Sequence, residues 1–188
     1  MRPVQRSEIL DWQTYDDQRD ALRPAFLAAK RARRVQIGPL LCLLFENRET
    51  VRYQVQEMLR TERIVREAEV QHELDTYNEL LGGDGELGCT LLIGLDDPAA
   101  RDERLRRWKG LNESLYLKLP GGTKVRPRWD ARQLGEDRLS SVQYLKFPLG
   151  GQLPLAAGCD HEDPELRGEV ALTELQRGAL EEDLARSE

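Results

Sequence analysis

The sequence predicts an α+β fold: a single domain over residues 1–188, with a mostly antiparallel or mixed sheet and several packed helices. Three observations lead there. Helix-spaced apolar stripes and short apolar runs follow one another without strict βαβ alternation. A chain of 188 residues is of one-domain length, and no linker, repeat or low-complexity stretch divides it. The longest apolar run, Leu40 to Phe45, has six residues, far short of the roughly 20 that cross a bilayer.

Each element follows from local pattern. Ser7 caps a short turn carrying Ile9, Leu10 and Trp12. From Thr14 onward Ala21, Leu22, Ala25, Phe26 and Ala29 recur at helical spacing, with Pro24 inside the pattern as a kink or the start of a second half. The basic cluster Lys30, Arg31, Arg33 and Arg34 ends this helix, where cations complement the macrodipole. Val35–Ile37, Gly38-Pro39 and Leu40–Phe45 read as a hairpin. Asn47 is the N-cap of a helix expected from about Arg48 to Glu67, with Val51, Val55, Met58, Leu59 and Val65 on its core stripe. Glu62 falls on that stripe and would need a partner there. A further helix carries Val70, Leu74, Tyr77 and Leu81 and closes at Gly82-Gly83. Leu87–Leu95 reads as a strand, and Asp97-Pro98 opens an amphipathic helix through Trp108. Leu115–Leu119 and Lys124–Arg128 flank a turn at Gly121-Gly122. Val142–Phe147, Leu153–Ala157 and Gly168–Leu172 are expected strands, and Thr173 caps a final helix with the stripe Leu175, Ala179, Leu180, Leu184.

The formal net charge is −6, but the charge is banded. Residues 1–66 carry a net +4, and residues 67–100 a net −9 with no Lys or Arg. Residues 101–146 carry a net +6 and residues 147–188 a net −7. Either the bands neutralise one another in the fold, or a basic face meets an anionic ligand or partner. Residues 1–12 lack an apolar signal core, and the three cysteines are not closely spaced, so a cytoplasmic protein is expected. Aromatic residues make up 6% and the total charge is acidic, which argues against nucleic-acid binding. No membrane association and no cofactor are expected.

Few residues carry a recognisable chemistry. Glu69 and His72 share the Glu-x-x-His spacing of carboxylate-bridged di-iron bundles, but such centres need two copies and further carboxylates. Cys159 and His161 would point to one side of an extended segment, a soft-metal pair two ligands short of a tetrahedral set. Leu81–Gly85 is glycine-rich but lacks the Lys-Ser/Thr of a phosphate loop and lies in the acidic band. The remaining constellation is polar. Arg48, Arg52, Gln56, Glu57 and Arg60 lie along one helix, and Glu73, Tyr77 and Asn78 along the next. Two such helices side by side would line a pocket for a small polar or anionic ligand, or form an ion-pair network joining the helices.

Several stretches resemble one bacterial family catalogued only as a domain of unknown function. They are Phe45-Glu46-Asn47-Arg48, Gln54-x-Gln56-Glu57-Met58-Leu59-Arg60-x-Glu62-Arg63-Ile64, Glu73-Leu74-Asp75-x-Tyr77-Asn78, Ser141-Val142-Gln143-Tyr144 and Gly158-x-Asp160-His161. The resemblance runs in matching order from Leu10-x-x-Gln13-x-Tyr15 to the terminal helix. Genes of that family sit beside those for rubrerythrin-like proteins and for iron–sulfur proteins similar to heterodisulfide-reductase subunits. The resemblance therefore implies a non-catalytic accessory part in a redox or oxidative-stress system, with one of those proteins as partner. The family pattern has Pro after Asp-His, where this chain has Glu162, so the loop around His161 departs from it. Two other functions follow from the residues themselves. One is an enzyme or ligand-binding domain using Arg52, Gln56, Glu57, Arg60, Glu73, Tyr77 and Asn78 with His161 nearby. The other is metal binding at Cys159 and His161.

Overall fold

In the computed structural model residues 1–133, 135 and 137–185 are described, and over them six helices and eight strands form an α+β fold with two antiparallel sheets. The first sheet has the order β1 (Arg34–Ile37), β2 (Leu41–Glu46), β3 (Glu86–Ile93), β6 (Val142–Pro148). The second has the order β5 (Lys124–Val125), β4 (Leu115–Lys118), β7 (Ala156–Cys159), β8 (Gly168–Ala171). Around them lie α1 (Trp12–Ala32), α2 (Arg48–Glu62), α3 (Glu67–Asn78), α4 (Pro98–Arg107), α5 (Leu111–Ser114) and α6 (Glu174–Ala185). No helix among the described residues is long and apolar enough to cross a membrane.

The apolar run in β2 is explained by burial on both faces. Side chains alternate along a strand. Leu41, Leu43 and Phe45 join Leu91, Leu145 and Phe147 of the first sheet and Leu115, Leu117 and Ala157 of the second in one core. Register fixes this, since Leu43 sits opposite Val35 and Leu91, and Phe45 opposite Cys89. The other face of the first sheet meets the helices. There the Glu46 carboxylate accepts from Thr50 Oγ1 of α2 at 2.5 Å and from Thr90 Oγ1 of β3 at 2.6 Å. The stripe Val51, Val55 and Leu59 of α2 packs with Val70 and Leu74 of α3 and with Val4 and Ile9 of the N-terminal segment.

Four expectations need correction. The helix expected through Glu67 ends at Glu62, because Arg63 turns left-handed at φ 51°. Its guanidinium lies over the Trp12 ring, 5.8 Å from the centroid, which helps hold this uncommon backbone. Glu62 is consequently exposed, and Val65 is 75% exposed instead of facing the core. The strand expected at Leu153–Ala157 lies at Ala156–Cys159, beyond Pro154, which lacks a donor for a ladder. The strand expected at Lys124–Arg128 spans only Lys124–Val125, ahead of Pro127. On α6, Leu175 is 62% exposed and the buried stripe includes Asp183.

The charge bands meet inside the chain to a large extent. Arg104 and Arg107 pair with Glu165 and Asp163, Lys118 with Glu169, and Lys124 and Arg126 with Asp160, joining residues 101–146 to the acidic band after them. Arg33 of the basic cluster is itself buried against Asp183.

Candidate functional site

The site begins with a close approach of backbone. A Cβ on Gly88 would lie 1.8 Å from Leu80 O, and one on Gly82 would lie 2.3 Å from Glu86 O. Only glycine at these two positions lets the exit of α3 rest directly on β3. That contact sets α3 beside β6, the outer strand of the first sheet.

A cleft of ≈ 940 Å³ remains between them. Glu73, Thr76, Tyr77, Glu79 and Leu80 form one wall, and Tyr144, Leu145 and Lys146 of β6 the other. The third side is the segment 128–133, which contributes Arg128, Trp129, Asp130, Arg132 and Gln133. This segment is tied to β6 at two points. Arg128 and Lys146 exchange backbone hydrogen bonds of 2.7 and 2.8 Å. The Gln133 side-chain amide donates to Tyr144 O at 2.8 Å and accepts from Tyr144 N at 2.7 Å, taking the place of a neighbouring strand.

The cleft is mixed in charge. Arg128 pairs with Glu86, and Arg132 with Asp130 at 2.5 Å. Lys146, half-buried on β6, has no side-chain hydrogen bond or ion pair among the described residues, and neither does the half-buried Glu73 carboxylate across from it. Tyr144 is 48% exposed, the only exposed aromatic side chain among the described residues. Burial pushes the Tyr77 phenol up, with Glu73 and Tyr144 adding to this, while Gln54 as hydrogen-bonding neighbour opposes it. Tyr77 is thus a neutral phenol at ordinary pH, able to donate as well as accept. Behind it Lys30 Nζ lies 3.4 Å from Gln54 Oε1 and over the Tyr53 ring at 4.8 Å, and burial lowers the pKa of this amine. Burial pushes the Cys89 thiol at the cleft well up, so it stands as a neutral thiol.

Of the residues marked out in the sequence, Glu73 and Tyr77 reach this cleft. The others are engaged elsewhere. Gln56 is 2% exposed and holds the N-terminal segment by accepting from Leu10 N at 2.7 Å and donating to Leu10 O at 3.1 Å. Asn78 does the same to Val4 N and O at 2.8 and 3.0 Å. Glu57 accepts from Tyr15 Oη at 2.7 Å and from Arg19 Nε at 2.8 Å. Arg52 pairs with Glu49 at 2.7 Å and lies over the Phe26 ring, and Arg60 Nε is 3.6 Å from Asp16. Arg48 pairs with Glu8 at 2.6 Å. All of these side chains but Arg52 belong to the network that holds residues 1–19 on α2 and α3.

His161 lies at the end of β7, outside the cleft lining, and its Nδ1 accepts the Asp163 N–H at 3.0 Å. Cys159 is 2% exposed in the shared core, and burial raises its thiol pKa. Among the described residues no three His, Cys, Asp or Glu side chains group as metal ligands would. His72 is exposed on α3. Sequence reasoning missed Arg128, Arg132, Gln133, Tyr144 and Lys146. Their signal was the basic band 101–146, which faces the acidic α3 across the cleft, and for Tyr144 also the stretch Ser141-Val142-Gln143-Tyr144 of the family resemblance.

A family model described as protein of unknown function (DUF3501) matches residues 3–184. The chain is similar to a novel protein of unknown function from Burkholderia pseudomallei K96243, known from a crystal structure. The two share 30% identity with a TM-score of 0.87, over 97% of this chain and 100% of the other. No curated protein matches.

Proposed function

The chain belongs to the DUF3501 family, and we propose that it is a ligand-binding domain whose α3–β6 cleft takes a small polar molecule bearing an anionic group. The observation that carries this is Lys146. Nearby basic side chains in the basic band are mostly satisfied by carboxylates, whereas this lysine is half-buried in a concave site and unpaired among the described residues. Partial burial of an ammonium without a counter-ion is unfavourable, and an anionic ligand supplies one. The volume, ≈ 940 Å³, lies within the range of small-molecule sites. The test is calorimetric titration with 3-phenylpropionate. Saturable binding that Lys146→Met abolishes, with the circular dichroism spectrum unchanged, supports the reading. No saturable binding, or binding indifferent to Lys146→Met, contradicts it.

The redox-system role implied by the family resemblance is a second reading, and one surface supports it. On α1, Arg23, Leu27 and Arg31 recur every fourth residue and are exposed, with Leu27 at 42%. Such a cationic stripe around an exposed leucine suits an acidic protein surface. Its test is cross-linking to a purified rubrerythrin-like or iron–sulfur partner. A yield that falls on Arg23→Glu and Arg31→Glu supports docking there, and an unchanged yield contradicts it.

A further inference from the structure

We infer that the ligand of the cleft is a zwitterion built on an aromatic ring, an aromatic α-amino acid or a molecule ending in one, with its anionic group at Lys146 and its amine at Glu73. This rests on the reading of the cleft as a ligand site and deepens it.

Charge complementarity comes first. Six charged side chains line the cleft: Glu73, Glu79, Arg128, Asp130, Arg132 and Lys146. The guanidinium of Arg132 is held by Asp130 and also feels Glu79, and Arg128 is held by Glu86. The two arginines that would otherwise clamp a phosphate are therefore engaged. The Glu79 carboxylate has no hydrogen bond or ion pair among the described residues, but it is exposed and within the field of Arg132. The half-buried charges that remain are one acid on α3, Glu73, and one base on β6, Lys146, on opposite walls. A ligand that is only anionic satisfies Lys146 and brings a like charge toward Glu73. A ligand that is only cationic does the reverse. A molecule carrying both groups pairs each with its opposite, and charge-assisted hydrogen bonds are the stronger class.

The aromatic walls add the ring. Tyr77 and Tyr144 both line the cleft, and the Tyr144 phenol is near enough to influence the ionisation of Tyr77. Every other aromatic side chain among the described residues is buried or half-buried. An exposed ring in the same cleft as these two charges offers a planar apolar face to a ring on the ligand. The neutral Tyr77 phenol adds a donor and acceptor that takes no side in the charge balance.

Calorimetric titration of the purified protein with L-phenylalanine, 3-phenylpropionate, phenethylamine and L-alanine tests this. L-phenylalanine is expected to bind roughly tenfold tighter than 3-phenylpropionate and phenethylamine, each of which lacks one charge-assisted contact, and also tighter than L-alanine, which keeps both charges and lacks the ring. Glu73→Gln is expected to weaken L-phenylalanine and phenethylamine and to leave 3-phenylpropionate unchanged or tighter. Lys146→Met is expected to do the converse. If 3-phenylpropionate binds as tightly as L-phenylalanine and L-phenylalanine ignores Glu73→Gln, the zwitterion inference falls while the anion-binding cleft stands. If L-alanine matches L-phenylalanine, the aromatic requirement falls. If none of the four gives saturable heat, both the inference and the reading beneath it fall.

Discussion

Gln133 and Tyr144 are joined by two hydrogen bonds in which a side-chain amide plays the part of a strand: Nε2 donates to the Tyr144 carbonyl at 2.8 Å, and Oε1 accepts the Tyr144 amide at 2.7 Å. Exposed strand edges invite pairing with other chains, and one amide covers this edge beside the cleft. The same contact fixes the outer wall of the site. Gln133→Ala should raise the exchange rate of the Tyr144 amide and cost about 1–2 kcal/mol of stability, the net worth of one or two such bonds. Hydrogen exchange read at Tyr144 checks it, and an unchanged rate would show that the wall is held by the Arg128–Lys146 bridge alone.

The pair Arg33–Asp183 closes the fold across 150 residues, with Nε to Oδ2 at 2.6 Å and Nη2 to Oδ1 at 2.9 Å. Asn47 Nδ2 adds a third donor to Asp183 at 3.2 Å. Removing one partner of a buried pair leaves an uncompensated charge, so Asp183→Ala should cost about 3–5 kcal/mol. Urea midpoints measure it. Arg33→Met with Asp183→Leu should recover much of that loss, since a packed apolar pair avoids the desolvation cost.

Two glycines should respond in opposite directions. Gly88→Ala drives a methyl into Leu80 O, a backbone atom that cannot swing aside, and should destabilise by at least about 1–3 kcal/mol. Gly178 lies inside α6, and a methyl group there would meet nothing within 4 Å, so Gly178→Ala should stabilise by about 0.5–1 kcal/mol. Thermal unfolding of the two variants side by side distinguishes a packing glycine from an incidental one.

Acid stability should depend on Glu57. The Arg19 guanidinium, followed by the Tyr15 hydroxyl, holds its carboxyl below the usual range against the opposing effect of burial. Because the folded pKa is depressed, this stabilisation is complete above the unfolded value of about 4.3 and is lost as pH falls through the folded value. Glu57→Gln should therefore lower stability at neutral pH and flatten its decline on the acid side. Urea midpoints measured across that range would show parallel curves if Glu57 made no such contribution.

How far the sequence could lead is clear from particular residues. The β1–β2 hairpin, the Asn47 cap and the α2 stripe from Val51 to Leu59 are local signals, set by neighbours within a few positions, and they stand where expected. The end of α2 was not legible, because Arg63 takes a left-handed backbone conformation that residue type disfavours and that a contact with Trp12, far away in sequence, helps hold. Polar residues of α2 and α3 were recognisable as a group, but not which of them the N-terminal segment would occupy. Gln56 and Asn78 are engaged by Leu10 and Val4, backbone partners that no side-chain pattern encodes. More than half of the cleft lining comes from a loop and an edge strand far beyond α3 in the chain, and only the alternation of charge hinted that they would face it.

The central claim is that the cleft between α3 and β6 is a ligand site. Mapping amide chemical shifts of the protein during titration with 3-phenylpropionate tests it most directly. Saturable shifts should gather at residues 73–80, 128–133 and 144–146 and be lost in Lys146→Met. Shifts centred elsewhere, or none at saturating ligand, would contradict it.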